Sequence, residues 1–416
     1  MIEQRRSRYA EAVQDQSISL FFSGHAPIRT ADEFYPFTVN RNFFYLTGID
    51  QEHVVLVIAK GANQVKSFLF IEKIDPIKAL WDGAGLTFEE AAEKAKIDVE
   101  NVRDIETLDT FLAQMLSTTR RALFGAIDTI YMDLERLNEK VPPTVSITYA
   151  QKLKELYPYV QLKTNQMILA ELRTIKDPSE IEEMKKAVAI TKVGLDRIMS
   201  NLKEGRYEFQ VEAEYNYVLN LHRTSPSFGT IAASGKNATV LHYRDNASAI
   251  EPNSLVLFDL GCFSNHYCSD ITRTYPASGK FTKRQKEVYE TVLEVNKKAI
   301  EYLKPSMTLK EYNDYGKMLL TEGAKKLGLI KEDAEITKYY YHSLGHYLGL
   351  DVHDVGNYAK PIPEGAVITV EPGLYIAEEG IGIRIEDDIV VKHGGNINLS
   401  KGIIKEVKDI EAFMNK

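Results

Sequence analysis

Several carboxylates and imidazoles in this chain stand where such groups are costly. The segment SLVLFDLG (254–261) is apolar up to Asp259. A carboxylate at the end of a buried strand needs a partner or a cation. Eleven residues on, YCSDITRTYP places Asp270 in a second β-branched segment. A hairpin would let the two aspartates face each other, whereas either one alone reads more simply as a turn cap. The run YYHSLGHYLGLDVHDVG holds His342, His346 and His353 within twelve residues, in a chain with nine histidines. His342 and His346 have the i, i+4 spacing of a zinc-peptidase helix. Ser343 stands where that chemistry needs a glutamate, however, and Gly345 and Gly349 oppose a helix. A structural role suits any one of these histidines; three together point to a metal or to proton transfer. ITVEPGLY carries Glu371 at a strand end, just before a Pro-Gly turn. In GIGIRIEDDIVV, alternation puts Arg384, Glu386 and Asp388 on one strand face, with Arg384 a plain ion-pair partner for Glu386.

Two Asp, two Glu and at least one His suit a pair of divalent cations that prefer oxygen and nitrogen ligands, such as Mn²⁺, Co²⁺, Fe²⁺ or Zn²⁺. Such ions sit ~3.5–4 Å apart and share a hydroxide that attacks a carbonyl. Without metal, the crowded carboxylates would raise one another's pKa values. Cys262 and Cys268 lie nearby, but thiolate sites usually bring four N/S ligands and this chain has no second pair.

Positioning such a set takes a large scaffold. At 416 residues the chain is expected to form two or three domains. Residues 1 to about 170 alternate strands (54–60, 67–73) with helical patterns (88–96, around 105–117). A boundary falls near 165–176, where Asp177, Pro178 and Glu180 open a helix with a capping box. Thr282 with Gln285 and Thr308 with Glu311 repeat the device. Strand-like segments at 254–260, 267–275, 366–371 and 382–391 do not strictly alternate with helices, which favours α+β for the second half.

Composition narrows the partners. The formal net charge is −8 and the basic residues are dispersed, so neither nucleic acid nor an anionic membrane is an expected partner. No run approaches the ~18 apolar residues of a membrane span. The N-terminus lacks the apolar core of a secretory signal. With only two cysteines, a cytoplasmic setting is expected.

DLGCFSNHYCSDITRTYP, HSLGHYLGLDVHD, ITVEPGLY and GIGIRIEDDIVV together resemble the pita-bread metallopeptidases, the family of aminopeptidase P, prolidase and methionine aminopeptidase. The resemblance spans nearly the whole chain. It implies a C-terminal pita-bread catalytic domain (171–416) and a smaller α/β domain of the creatinase N-terminal type (1–170) for substrate access and oligomerisation. It also implies five metal ligands: Asp259, Asp270, His346, Glu371 and Glu386. Asp270 and Glu386 would bridge two ions, with Asp259 on one and His346 and Glu371 on the other, and Mn²⁺ is the expected metal. His242 (in TVLHYRDN) and His353 would contact substrate or move protons. His342 would line the pocket for the residue after the cut, and Tyr375 and Arg384 would support the metal shell. Gly345 departs from the serine of many relatives. NRNFFYLTG (40–48) resembles the start of the N-terminal domain of aminopeptidase P and prolidase. Trp81, in LWDG, is either a packed aromatic or a substrate contact made within a homodimer or homotetramer.

The activity this implies is removal of the first residue from peptides with proline in second place. A metal-bridging hydroxide would attack, Glu371 would carry the proton, and His242 or His353 would stabilise the oxyanion. Prolidase, which cuts Xaa-Pro dipeptides, is the nearest alternative. A non-catalytic scaffold and a metal-free amidinohydrolase are disfavoured because all five ligand positions are intact.

Overall fold

In a computed structural model, residues 1–117, 119 and 122–416 are described. The chain divides into two units, Met1–Arg173 and Thr174–Lys416. Among the described residues, no helix is long and apolar enough to cross a membrane.

The first unit is built on a six-stranded sheet. Its strands are β1 (Ser17–Phe22), β2 (Val55–Lys60), β3 (Val65–Ile71), β4 (Val102–Asp104), β5 (Thr129–Met132) and β6 (Gln161–Thr164). Their order is β4-β3-β2-β1-β5-β6. The β1–β2 and β2–β3 pairs are antiparallel, and β1–β5, β3–β4 and β5–β6 are parallel. Central β1 and β2 are buried nearly throughout; β2 reads as an apolar run up to Lys60, whereas β1 (SISLFF) buries two serines, of which Ser19 accepts from the Tyr9 hydroxyl at 2.9 Å. Trp81 lies on α1 (Pro76–Asp82), a helix with no buried residue. It is 84% exposed, beside Leu80 at 86%, so the packed-aromatic reading fails. A helix of two turns outside the sheet has no apolar face to bury it against.

The second unit carries the clustered acids. Its α2 (Pro178–Asn201) starts at Asp177, whose side chain accepts from the Ser179 and Glu180 amides while Glu180 reaches back, as the sequence predicts. The same reciprocal cap opens α4 (Lys283–Tyr302) at Thr282 and α5 (Leu309–Lys326) at Thr308; α3 (Glu208–Leu221) lies between. Val188, Leu195, Ile198 and Tyr215 from α2 and α3 join Val256, Phe258, Val288 and Val292 in the largest core cluster. Besides the short Phe263–Ser264/Tyr267–Cys268 hairpin, the unit's strands are β7 (Ile231–Ser234), β8 (Leu255–Leu260), β9 (Ile271–Pro276), β10 (Val367–Val370), β11 (Gly373–Ile376), β12 (Ile381–Arg384), β13 (Asp387–Val390) and β14 (Ile397–Asn398). They form three antiparallel groups: β9-β8-β7, β10-β13-β14 and β11-β12.

Two expected continuous strands are broken. The 382–391 segment is β12 and β13, interrupted at Ile385–Glu386. The cause lies in its neighbour: β13 pairs with β10 up to Val370 opposite Asp387, β12 pairs with β11 from Gly373 opposite Arg384, and Glu371–Pro372 stands between. Proline has no N–H for a ladder. Both strands therefore break together, and Arg384, Glu386 and Asp388 do not share one regular face. The 267–275 segment likewise divides into Tyr267–Cys268 and β9, with Asp270 in the gap.

Candidate active site

The breaks are where the acids sit, and each has its backbone N–H diverted out of a ladder. The Asp270 amide donates to Asp388 Oδ2 at 3.2 Å. The Glu371 amide donates to the Leu344 carbonyl at 2.9 Å, and the Glu386 amide to the Thr272 carbonyl at 3.0 Å. Asp259 is the penultimate residue of β8 and pairs with Thr272 across the hairpin, so the expected Asp259–Asp270 juxtaposition is offset by two residues. Beneath this, buried Arg273 donates to Asp387 at 2.6 Å and to the carbonyls of Thr272 and Glu386. Burial works against the Asp387 charge, but Arg273 and Lys405 override it and hold its pKa at about 2.

His346 comes from an irregular segment, as its glycines require. Its backbone is sewn to β10: Thr369 N–H donates to the His346 carbonyl, and the His346 amide to Thr369 Oγ1, both at 3.0 Å. Gly345 makes this approach possible, since a Cβ there would lie 1.9 Å from the Thr369 carbonyl oxygen. Gly345→Ser, the residue of many relatives, should therefore cost about 3 kcal/mol by overpacking and lower Tm by roughly 6–12 °C. A thermal melt showing an unchanged Tm would refute this account of the glycine.

The side chains converge in one cleft of about 520 Å³, lined among others by Asp259, Asp270, His342, His346, Glu371, Arg384, Glu386, His242 and His353. One ligand atom each from Asp270, His346 and Glu386 lie within 4.8 Å of one another. His346 Nδ1 lies 3.0 Å from the Tyr347 carbonyl, an acceptor, so that nitrogen carries hydrogen and Nε2 faces the acids. Nε2 is 3.5 Å from both Asp270 Oδ2 and Glu371 Oε1.

Electrostatics shows what this set lacks. Burial raises the Asp259 carboxyl to about 6, against the pull of Arg384. Burial raises Glu371 to about 7, against His346 and Arg384. Glu386 is pushed well above the carboxylate range by burial, then by Asp270 and Glu371. Burial would lower His346, but Asp270 and Glu371 raise it to about 9. Buried Asp259 Oδ1 has no hydrogen-bond partner. A cluster that draws protons so strongly, with an inward imidazole nitrogen and an orphaned carboxylate oxygen, fits divalent cations with an O/N preference.

The remaining expected residues divide by position. Arg384 pairs with Asp259 rather than serving as the Glu386 partner; it also donates to Thr272 Oγ1 and the Tyr375 hydroxyl, each at 3.0 Å. Thr272 in turn donates to Glu386 Oε2 at 2.6 Å. His342 Nδ1 lies 2.7 Å from the Ser343 carbonyl, which leaves Nε2 to accept from Tyr375 at 2.8 Å. Burial lowers His342 to about 4, so this ring is neutral at pH 7. His242 and His353 stand exposed in the cleft, with the His353 ring 4.3 Å from that of His346. Trp81 belongs to the other unit.

Sequence reasoning missed Thr272, Thr369, Asp388 and Arg244. Thr369 is the same-face neighbour of Glu371 in ITVEPG, and Arg244 stands two residues after His242, so both carried a signal. Asp388 was read only as part of an alternating face; its role in holding the Asp270 backbone depends on a contact across 118 residues.

The chain matches known proteins along its whole length. Residues 182–393 match the model for metallopeptidase family M24, and residues 2–124 match that for the aminopeptidase P N-terminal domain. A Haemophilus influenzae Xaa-Pro aminopeptidase is 35% identical over 99% of this chain and 96% of its own, and an Escherichia coli Xaa-Pro aminopeptidase is 33% identical over 99% and 97%. A solved Bacillus anthracis chain superposes with TM-score 0.96 at 42% identity, covering 100% of this chain and 97% of that one. Zinc-substituted E. coli aminopeptidase P, solved with product, superposes with TM-score 0.88 at 32% identity, with the same coverage. With its acid cluster framed by these matches, the chain belongs to metallopeptidase family M24 and carries an aminopeptidase P N-terminal domain.

Proposed function

We propose that this protein is an Xaa-Pro aminopeptidase, a metallopeptidase that releases the first residue from peptides with proline in second place. The observation that carries this reading is the convergence of Asp259, Asp270, His346, Glu371 and Glu386 on one cleft. Asp259, Asp270, His346, Glu371 and Glu386 are the side chains that would hold two divalent ions. Bound there, divalent ions would supply Lewis acidity to the scissile carbonyl and lower the pKa of water toward ~7.

The chain's own groups do the rest. Glu371, whose carboxyl lines the cleft 3.5 Å from His346 Nε2, takes the proton of the attacking water and returns it to the departing proline nitrogen. His353, whose ring stands in the cleft 4.3 Å from that of His346, donates its N–H to the carbonyl oxygen as charge builds there. His242 supports the same oxygen. Arg384 holds Asp259 and, through Tyr375, fixes the His342 ring against the substrate.

Mn²⁺ is the ion we assign, as the resemblance to the family implies; the carboxylate and imidazole donors accept Co²⁺, Fe²⁺ or Zn²⁺ as well. Buried Cys262 and Cys268, neither of them in a disulfide, support a reducing, cytoplasmic setting. Exposed Ile77, Leu80 and Trp81 support a homodimer or homotetramer in which Trp81 contacts substrate. The decisive test compares Xaa-Pro-Yaa, Xaa-Pro and Xaa-Ala-Yaa with added Mn²⁺, Co²⁺ or Zn²⁺. Metal-dependent cleavage of the first peptide alone is expected; preference for the dipeptide would assign prolidase instead.

A further inference from the structure

The cleft contains two arginines, and they differ in one respect. Arg384 is buried and bonded to Asp259, Tyr375 and Thr272. Arg244 is exposed, lines the same cleft, and makes no ion pair or hydrogen bond among the described residues. Its stem lies against Gly229, with Cδ 3.5 Å from where a Cβ would stand.

The segment that bears Arg244 is anchored on the side away from the cleft. The Tyr243 hydroxyl donates to buried Glu208 at 2.8 Å. Asn246, also buried, accepts from the Ala232 amide at 3.0 Å and donates to the Thr230 carbonyl and to Glu212, both at 2.9 Å. With Tyr243 turned to Glu208, its neighbours His242 and Arg244 both reach the cleft. A fixed loop thus presents a free guanidinium to the space that also holds four carboxylates.

We propose that Arg244 is a specificity-determining residue that binds the C-terminal carboxylate of a short peptide substrate. This rests on the aminopeptidase reading of the same cleft. A tripeptide carries a cation at one end and an anion at the other. Arg244 attracts the carboxylate end and repels the amino terminus, so the two ends are sorted. Guanidinium is suited to a carboxylate through paired N–H donors, and a volume near 520 Å³ suits a peptide of few residues.

The test uses the metal-loaded enzyme and three substrates: Ala-Pro-Ala acid, Ala-Pro-Ala amide and Ala-Pro-Glu amide. The ratio of kcat/KM for acid over amide should exceed one in the wild type and shrink with added salt. Arg244→Ala should lower that ratio about tenfold, mainly through KM, and Arg244→Lys should restore part of it. The Glu amide separates a side-chain carboxylate from a terminal one; if it alone responds to Arg244→Ala, the terminal-carboxylate assignment is overturned. An unchanged ratio in Arg244→Ala overturns the proposal while leaving the peptidase reading intact. A wild type that cleaves none of the three overturns both.

Discussion

Asp270→Ala will abolish turnover and strip the protein of metal. Asp270 offers one of three ligand atoms within 4.8 Å, and no neighbouring side chain can replace it. Its amide is fixed by Asp388, and its carboxylate stands 3.5 Å from His346 Nε2. Removing it leaves that nitrogen with Glu371 and Glu386. We expect kcat/KM to fall by about 10⁴-fold or more, the scale of dismantling a catalytic unit, together with metal content by elemental analysis. Full activity with full metal occupancy would remove the dinuclear reading.

The same variant has a signature in the metal-free state. Glu371 and Asp259 have pKa values of about 7 and about 6 in the folded chain, above the unfolded values near 4. His346, at about 9, also lies above its unfolded value near 6.5. All three bind protons more tightly when folded. Their stabilising contribution is therefore complete below the unfolded values and is lost as pH rises through about 6 to 9. Metal-free wild type should melt at progressively lower temperature across that window. Asp270→Ala, with one charge fewer in the cluster, should lose less. Equal pH profiles for the two chelated proteins would mean the acids do not act on one another.

His353→Ala should separate chemistry from metal binding. The ring is exposed in the cleft, 4.3 Å from the His346 ring, and has no hydrogen-bond partner among the described residues. Nothing in the fold depends on it, so stability and metal content should persist. Loss of one donor to a developing oxyanion costs on the order of 10²–10³ in kcat. The expected result is that loss in kcat, with KM and bound metal little changed. A wild-type kcat would reassign the residue to the cleft wall, and loss of metal would make it a ligand.

Much of this site is legible without coordinates, because buried charge is conspicuous in sequence. Asp259 after five apolar or small residues, Glu371 before Pro-Gly and three histidines in twelve positions are each costly without a purpose. The capping boxes at Asp177, Thr282 and Thr308 are equally visible, since three adjacent residues satisfy the helix's first amides. What local pattern misjudged was continuity: 267–275 and 382–391 look like single strands because alternation registers side chains but not ladder partners. Those strands break because of residues far away: Pro372 opposite 382–391, and, for 267–275, the Gly349 carbonyl and Asp388 carboxylate that take the amides of Cys268 and Asp270.

The sequence by itself determined which acids and histidines are candidates for a cation, since composition, spacing and apolar context are local properties. Only the tertiary structure decided how they meet: that Arg384 serves Asp259 rather than Glu386, that Asp388 holds the Asp270 backbone, that Trp81 stays exposed, and that Arg244 is left without a partner. Each of these is settled by packing and contacts among residues distant along the chain. No short-range pattern encodes that.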